Sequence, residues 1–304
     1  MIKKSVSCIL TALILVLGSS ERVKAEEDIY KRLLKQDILS LMIAYPETID
    51  SIEVNDKGYV VLKTKLGNKI LYDDKKVKSN EEKLSNPDLQ DMLEQIYPLE
   101  FPKAIMTKNF DPGRCRNYQL LKDTYGGNAE QITKNLKNVK VGYKNFQFNS
   151  KNNAAAHLTL AVKEVAPLSF KNKEISDILF SPSGTFNYRC ISGTSRLSPH
   201  AFGIAIDLVS NKNDYWKWAN SKEGEKRLLS YPKELVEILE NHYFIWGGKW
   251  NHFDTLHFEY RPEIILKAKY FGKSTETSKA WYEGVPVEDE FIKAKIDEID
   301  KIIK

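Results

Sequence analysis

Apolar residues recur every three or four positions in several parts of the chain, which is the spacing of one face of an α-helix. This spacing predicts helices over residues 29–44, 114–125, 129–136, 153–165, 232–242 and 288–304. Residues 49–73 instead alternate between apolar and polar, and turn sequences at 55–58 and 66–68 divide them into a small β-meander. Short apolar runs predict further strands over residues 144–148, 188–191, 204–209 and 256–260. The chain therefore mixes helices with short strands.

The first 25 residues have the pattern of a secretory signal peptide. Lys3 and Lys4 form a basic start, residues 8–18 are apolar, and Val23-Lys24-Ala25 resembles a small-x-small cleavage site. The apolar stretch is shorter than the about 20 residues that a helix needs to span a bilayer. We therefore expect export to the periplasm or cell envelope, with no stable membrane span after cleavage. An uncleaved anchor is the alternative.

Composition limits the class of partner. Removal of residues 1–25 takes away four of the 46 basic residues and one of the 41 acidic residues, so the net charge falls from +5 to about +2. Such a near-neutral chain gives no reason to expect nucleic acid as a partner. The 304 residues, 42% of them hydrophobic, suffice for one large domain or two modest ones. Residues 75–86 are charged and lack apolar spacing, which predicts a linker.

Two cysteines, Cys115 and Cys190, lie outside the predicted signal peptide. Export makes a disulfide between them chemically possible, but their separation in the sequence does not establish one. The sequence has no CxxC motif and no Cys/His cluster, which excludes a structural zinc finger.

A histidine and an aspartate stand near the two ends of an apolar segment, His200 and Asp207. An unbroken strand would place residues seven apart on opposite faces, so a bend at Gly203 is expected. A buried carboxylate needs a partner or a metal. His257, with Asp254 three residues before it, could complete a zinc set of two histidines and one carboxylate, with Asp254 as general base. Hydrogen-bonded core histidines are the alternative, because spacing alone does not bring Asp207 to His257.

These residues belong to two motifs that resemble a known family. Residues 198–207 read SxHxxGxAxD, and residues 254–259 read DxxHFE. Together they resemble the zinc D-alanyl-D-alanine carboxypeptidases, a family that includes the L-alanyl-D-glutamate endopeptidases of bacterial wall peptides. The sequences RxIxGT at 189–194 and WGGxW at 246–250 resemble the endopeptidase branch in particular. Residues 154–262 carry the resemblance.

The resemblance implies an α+β fold, in which a small antiparallel sheet carries the zinc ligands and helices flank it. It implies that one zinc ion per chain is bound by His200, Asp207 and His257. It also implies that Asp254 is the catalytic base, with Glu259 as a competing base or as the residue that orients a ligand. Other branches have Glu at the position of Asp254, and the shorter side chain favours the endopeptidase branch.

Several polar residues around the motifs are candidates for substrate contact. By resemblance, Arg189 faces the substrate carbonyl or carboxylate and stabilises the oxyanion, with Arg196 as its rival. A surface salt bridge is the alternative for both. Ser198 holds the loop or touches the substrate. Arg114 and Arg116 either bind an anionic peptide stem or pair with acidic groups of the protein itself.

The resemblance predicts an exported zinc peptidase that hydrolyses peptidoglycan stem peptides, as an endopeptidase or as a carboxypeptidase. A non-catalytic wall-binding module is the alternative, since the Hedgehog signalling domain shares this fold. The expected organisation is a signal peptide at 1–25, a small N-terminal subdomain and linker at 26–86, the zinc peptidase domain at 87–272, and a helical tail at 273–304.

Overall fold

The computed structural model describes the backbone of residues 3–272 and 279–304, with side chains from residue 22 onward. The helices are α1 Lys3–Ala44, α2 Asn80–Ser85, α3 Leu89–Leu93, α4 Tyr118–Tyr125, α5 Ala129–Asn135, α6 Ala154–Ser169, α7 Lys173–Phe180, α8 Ser221–Ser230, α9 Lys233–Asn241, α10 Pro262–Phe271 and α11 Glu290–Ile302. The strands are β1 Ile49–Val54, β2 Val60–Thr64, β3 Lys69–Leu71, β4 Leu136–Val141, β5 Lys144–Asn149, β6 Ala205–Asp207, β7 Phe244–Trp246 and β8 His257–Tyr260. This mixture of helices and short strands confirms the predicted α+β fold.

Antiparallel pairing joins the strands into small sheets. Strands β1, β2 and β3 form the predicted meander, and β4 and β5 form a hairpin. The third sheet has the order β6-β8-β7, so β8 is its central strand. Asp207 ends β6 and His257 begins β8, and this sheet therefore carries two of the predicted metal ligands.

Side-chain caps decide where two helices begin. The predicted linker contains α2, which has no buried residue and forms on a capping box between Ser79 and Glu82 rather than on an apolar face. The helix predicted from residue 114 begins only at Tyr118, because Asn117 is its N-cap and accepts a hydrogen bond from the Leu120 N–H at 3.0 Å. The residues before that cap are thereby released from the helix.

The strand predicted over residues 188–191 is wrong. This segment is one arm of an exposed, irregular hairpin whose other arm leads to His200. Ser198 N–H donates to the Arg189 carbonyl at 3.0 Å, and Ile191 N–H donates to the Arg196 carbonyl at 2.8 Å. The segment is not buried, so its apolar residues do not pack in the core as the strand prediction assumed.

The N-terminal and C-terminal parts of the chain pack against each other. Helix α1 contacts α10 and α11, and β1 also contacts α11. Lys35 pairs with Asp300 at 2.7 Å, and Arg32 donates to the carbonyl of Ala280 at 2.9 Å. The division at residues 26–86, 87–272 and 273–304 stays a prediction, and residues 273–278 lie outside the described part of the chain.

The two cysteines, Cys115 and Cys190, are free. Burial raises the pKa of the Cys115 thiol to about 11. The predicted signal peptide lies mostly outside the residues whose side chains are described, and it stays a prediction. Among the described residues, no helix has an apolar stretch of the length needed to cross a membrane.

Candidate active site

His200 lies on a short 3-10 turn that follows the exposed hairpin. The turn spans Pro199–Phe202, and its N-cap Ser198 accepts a hydrogen bond from the His200 N–H at 3.3 Å. Gly203 ends the turn with a φ of +68°, in the left-handed region that favours glycine. A Cβ there would also lie 2.7 Å from Leu136 Cδ2. The bend that the sequence predicts at Gly203 is therefore present, and it separates His200 from the strand of Asp207.

The register of the third sheet brings the remaining two residues together. Asp207 on β6 is the direct antiparallel partner of His257 on β8. His200 Nε2 lies 3.2 Å from Asp207 Oδ1 and 3.3 Å from His257 Nδ1. His257 Nδ1 lies 2.8 Å from Asp207 Oδ1. Three potential ligand atoms thus converge on one point.

The other nitrogen of each imidazole faces an acceptor. His200 Nδ1 lies 2.5 Å from the carbonyl oxygen of Thr185 and donates to it. His257 Nε2 lies 3.8 Å from Oε2 of the fully buried Glu259. Nε2 of His200 and Nδ1 of His257 are therefore the ring nitrogens directed toward Asp207.

A metal ion fits among these three atoms. Two imidazole nitrogens and a carboxylate oxygen this close need positive charge between them, supplied either by ring protons or by a metal ion. Ligand atoms at the usual distances from a tetrahedral Zn²⁺ lie about 3.3 Å apart, and two of the three separations are close to that value. His200, Asp207 and His257 therefore form a candidate metal site.

The pKa shifts within this cluster have a common cause. Burial opposes the charge on Asp207, but hydrogen bonds from His200 and His257 outweigh burial and hold the pKa of the carboxyl below its usual range. Burial also opposes a charge on His257, yet hydrogen bonding to Asp207 and Glu259 raises the pKa of His257 to about 10. The two carboxylates thus favour a cation at the point where the ligand atoms meet.

Asp254 lies in the turn before β8 and is held there by the WGG sequence. Its N–H donates to the carbonyl of Gly247 at 3.0 Å. A Cβ on Gly247 would lie 2.4 Å from the carbonyl oxygen of Asp254, so this close approach requires glycine. The neighbouring Trp246 is fully buried, and its indole N–H donates to the Thr255 carbonyl at 2.8 Å. The WGG residues therefore fix the backbone on which Asp254 stands.

The carboxyl group of Asp254 has the properties of a proton acceptor. Its Oδ1 is shielded from solvent and accepts no hydrogen bond within the described part of the chain. Burial raises the pKa of Asp254 to about 6; His257 opposes this rise, while Asp207 and Asp214 add to it. A carboxylate with a free oxygen and a pKa near neutrality is suited to general base chemistry.

Glu259 is bound by an arginine that lies far away in the sequence. Arg116 Nε and Nη2 donate to the two oxygens of Glu259 at 2.8 and 2.6 Å. Burial raises the pKa of Glu259, but the Arg116 guanidinium outweighs it and holds that pKa below the usual range. The sequence allowed Arg116 to bind an anionic peptide stem or to pair with an acidic group of the protein, and in the structure it pairs with Glu259. Arg114 likewise pairs with Asp111, at 3.1 Å.

Residues 192–260 match the D-alanyl-D-alanine carboxypeptidase family. The predicted family resemblance is thereby confirmed for a segment that includes all three candidate metal ligands and Asp254. Arg116 and Arg189 lie outside the matched residues. Comparisons with curated proteins and with solved structures gave no match.

The two candidate arginines, Arg189 and Arg196, contact backbone carbonyls rather than the metal-ligand residues. Arg189 is exposed on the hairpin, and its guanidinium donates to the Cys190 carbonyl at 3.4 Å. Arg196 donates to the Leu84 carbonyl at the end of α2, at 3.0 Å. Within the described residues neither guanidinium bonds to the metal-ligand cluster. Ser198 is buried and caps the turn of His200, which is the loop-holding contact expected of it.

The remaining histidines have partners outside the family motif. His242 pairs with Glu164 at 2.9 Å, and His252 pairs with Asp111 at 2.6 Å. His157 stacks on Tyr260, with ring centroids 5.4 Å apart. These contacts agree with a structural or surface role for all three.

Proposed function

We propose that the protein is an exported zinc peptidase that hydrolyses peptide bonds in the stem peptides of peptidoglycan. The observation that carries this proposal is the convergence of His200 Nε2, Asp207 Oδ1 and His257 Nδ1 within a segment that matches a peptidase family. One Zn²⁺ per chain would be held by these three atoms, leaving a fourth position open. A catalytic zinc site has this composition.

Zinc, when bound, would polarise the scissile carbonyl and make water more acidic. Asp254 accepts the proton of the attacking water and later passes a proton to the leaving amine. Glu259 is unsuited to that task, because both of its oxygens accept hydrogen bonds from Arg116 and its pKa is low. Its position beside His257 instead suits the orientation of that ring.

Arg189 supplies the positive charge that stabilises the developing oxyanion or binds a stem-peptide carboxylate. Its exposed side chain is available to a substrate, and the bond from Ser198 N–H to the Arg189 carbonyl ties its hairpin to the turn of His200. Arg196 would contribute a further substrate contact from the same hairpin, while the buried Ser198 would hold the turn of His200.

The test is metal content by elemental mass spectrometry together with digestion of defined muropeptides. We expect about one zinc per chain in the wild type. His200→Ala should lose both zinc and cleavage, whereas the matched control His242→Ala should keep both, because His242 contacts Glu164 and His157, outside the metal-ligand cluster. A wild type that binds zinc but cleaves no muropeptide would favour the wall-binding module instead.

Mass spectrometry of the same digests distinguishes the two possible bonds. Free D-alanine is released only if the enzyme trims the end of the stem. Cleavage between L-alanine and D-glutamate gives one fragment that ends in L-alanine and one that begins with D-glutamate, without free D-alanine. The WGGxW and RxIxGT sequences lead us to expect internal cleavage.

A further inference from the structure

A chain of buried polar contacts leads away from Glu259 to the end of the N-terminal helix. Arg261 Nη1 donates to Glu259 Oε1 at 3.3 Å, and Arg261 Nε donates to Glu263 Oε1 at 2.6 Å. The hydroxyl of Tyr45 donates to Glu263 Oε2 at 2.7 Å. Glu259, Arg261, Glu263 and Tyr45 are all fully buried. His257 is therefore connected, through the side chains of Glu259, Arg261 and Glu263, to Tyr45, the residue that follows α1.

Arg261 also holds the segment that carries the other arginine on Glu259. Its Nη1 donates to the Gly113 carbonyl at 2.6 Å and its Nη2 to the Cys115 carbonyl at 3.4 Å. Arg116 follows directly after these residues and donates to both oxygens of Glu259. Both arginine partners of Glu259 in the described part of the chain thus depend on where Arg261 lies.

The charges along this path balance. Arg116 and Arg261 face Glu259 and Glu263, so two positive and two negative groups neutralise one another inside the protein. Buried charges are tolerated only when they are paired and hydrogen-bonded in this way. The Glu259 carboxylate is consequently fixed in charge and in position, and the partner beyond a metal-binding histidine is what sets the orientation of its ring.

We propose that Arg261 and Tyr45 are positioning residues of the metal site: they fix the Glu259 carboxylate, and Glu259 fixes the direction in which His257 presents its Nδ1. High metal affinity then requires α1 to be docked on α10, although α1 lies outside the residues that match the peptidase family. This inference rests on the proposed metal-dependent function. The competing explanation is that the path only stabilises the fold.

A pair of tyrosine variants separates these explanations. Tyr45→Phe removes one hydroxyl from the path to Glu259. Tyr72→Phe is the matched control, because Tyr72 is equally buried and donates to Asp37 at 2.9 Å, and Asp37 is paired with Lys267. Both variants remove a hydrogen bond to a buried carboxylate near α1 and α10, but only Tyr45 leads to His257.

The measurement is the affinity of each folded, metal-stripped protein for Zn²⁺, obtained by competition with a chromophoric chelator. We expect Tyr45→Phe to lower the affinity by a few-fold and Tyr72→Phe to leave it unchanged. Arg261→Lys, which keeps the charge but cannot hold both glutamates, should lower it by about 10–100-fold, as is typical of partners beyond the ligands. Equal affinities in wild type and Tyr45→Phe, or equal losses in the two tyrosine variants, would overturn the proposal.

A second measurement remains informative if Arg261→Lys does not fold. NMR of the His257 ring signals reports whether the ring holds a single orientation in the metal-free protein. The wild type and Tyr72→Phe should each give one sharp set of His257 ring signals, and Tyr45→Phe should give broadened or doubled signals. An unchanged ring in Tyr45→Phe contradicts positioning. A wild type that binds no zinc would contradict the proposed function, while this NMR comparison would still test the path.

Discussion

At the scale of single residues, Asp254 combines two properties that oppose each other. Its buried, unpaired oxygen suits it to accept a proton, and the same burial destabilises its charged form in the folded protein. Active sites commonly contain such groups, whose chemistry costs stability. A substitution of Asp254 should therefore raise the stability of the protein and lower its activity.

The stability effect of Asp254 should depend on pH. Its pKa is about 6 in the folded protein against 3.8 as the usual value, so the folded state is favoured below pH 4 and loses that advantage as pH rises through 6. Asp254→Asn should therefore raise the unfolding free energy of the metal-free protein at pH 8 by up to about 3 kcal/mol. Denaturant unfolding at pH 4 and pH 8 checks this. The prediction fails if the variant differs from wild type equally at both values.

The catalytic effect of the same substitution should be the reverse. The proton-accepting form of Asp254 exists above its pKa, so kcat/KM of the wild type on muropeptides should rise with pH and level off at or below about pH 6, because bound Zn²⁺ would lower that pKa. Asp254→Asn should lower kcat/KM by about 10²–10⁴-fold while the zinc content stays unchanged. A variant that retains activity would remove Asp254 from the role of base.

At the scale of secondary-structure elements, the turn before β8 determines where Asp254 stands. Gly247→Ala would place a Cβ 2.4 Å from the Asp254 carbonyl oxygen and 3.1 Å from the Trp250 ring, so the turn must shift. Such a displacement should lower kcat/KM by about 10²-fold. Zinc content should persist, because the pairing of β8 with β6 still holds His257 opposite Asp207.

The matched control for Gly247→Ala is Gly184→Ala. Gly184 also lies beside the site, since its backbone pairs with that of Asp207, but a Cβ there meets nothing within 4 Å. Activity should remain near that of the wild type. Equal losses in the two variants would mean that substitution of any glycine near the site, rather than displacement of Asp254, causes the effect.

The helices that the sequence predicts are those with a one-sided apolar pattern. Helices α9 and α11 have such a face, and the predictions over 232–242 and 288–304 found them. Helix α10 is buried on nearly every side, so it lacks the helical period, and α2 has no buried residue at all. Neither helix was predicted, because apolar periodicity identifies a helix only when one face is apolar and the other is polar.

The candidate site shows the same division. The motifs predict His200, Asp207, His257 and Asp254, because these residues lie within two short segments. The contact of Arg116 with Glu259 joins positions 143 residues apart, and only the fold brings them together. A basic residue near a turn has many possible acidic partners, so its sequence neighbours do not identify the one it meets.

At the scale of the whole molecule, the C-terminal helix belongs to the main core. Ile292, Ile296 and Ile299 of α11 are buried, and α11 contacts α1 and β1. The tail therefore contributes to the same hydrophobic cluster as the third sheet. Truncation of a buried tail residue should destabilise the protein as a whole rather than release the tail alone.

Ile299→Ala tests this integration. Ile299 is 0% exposed, and loss of its side chain should lower the unfolding free energy by about 2–5 kcal/mol in one cooperative transition. Phe291→Ala on the same helix is the control, because Phe291 is 43% exposed and should change stability by less than about 1 kcal/mol. Two separate transitions in the Ile299→Ala protein would instead indicate that the tail unfolds independently.

The pairing of β6 with β8 has a consequence for how the chain reaches its native state. A slip of one residue between these strands would turn Asp207 and His257 to opposite faces, since successive side chains alternate across a sheet. A cation that requires both ligands would bind only the chains in which the strands are aligned correctly. Metal binding would then shift the equilibrium between misaligned and correctly aligned chains toward the alignment that can bind the ion.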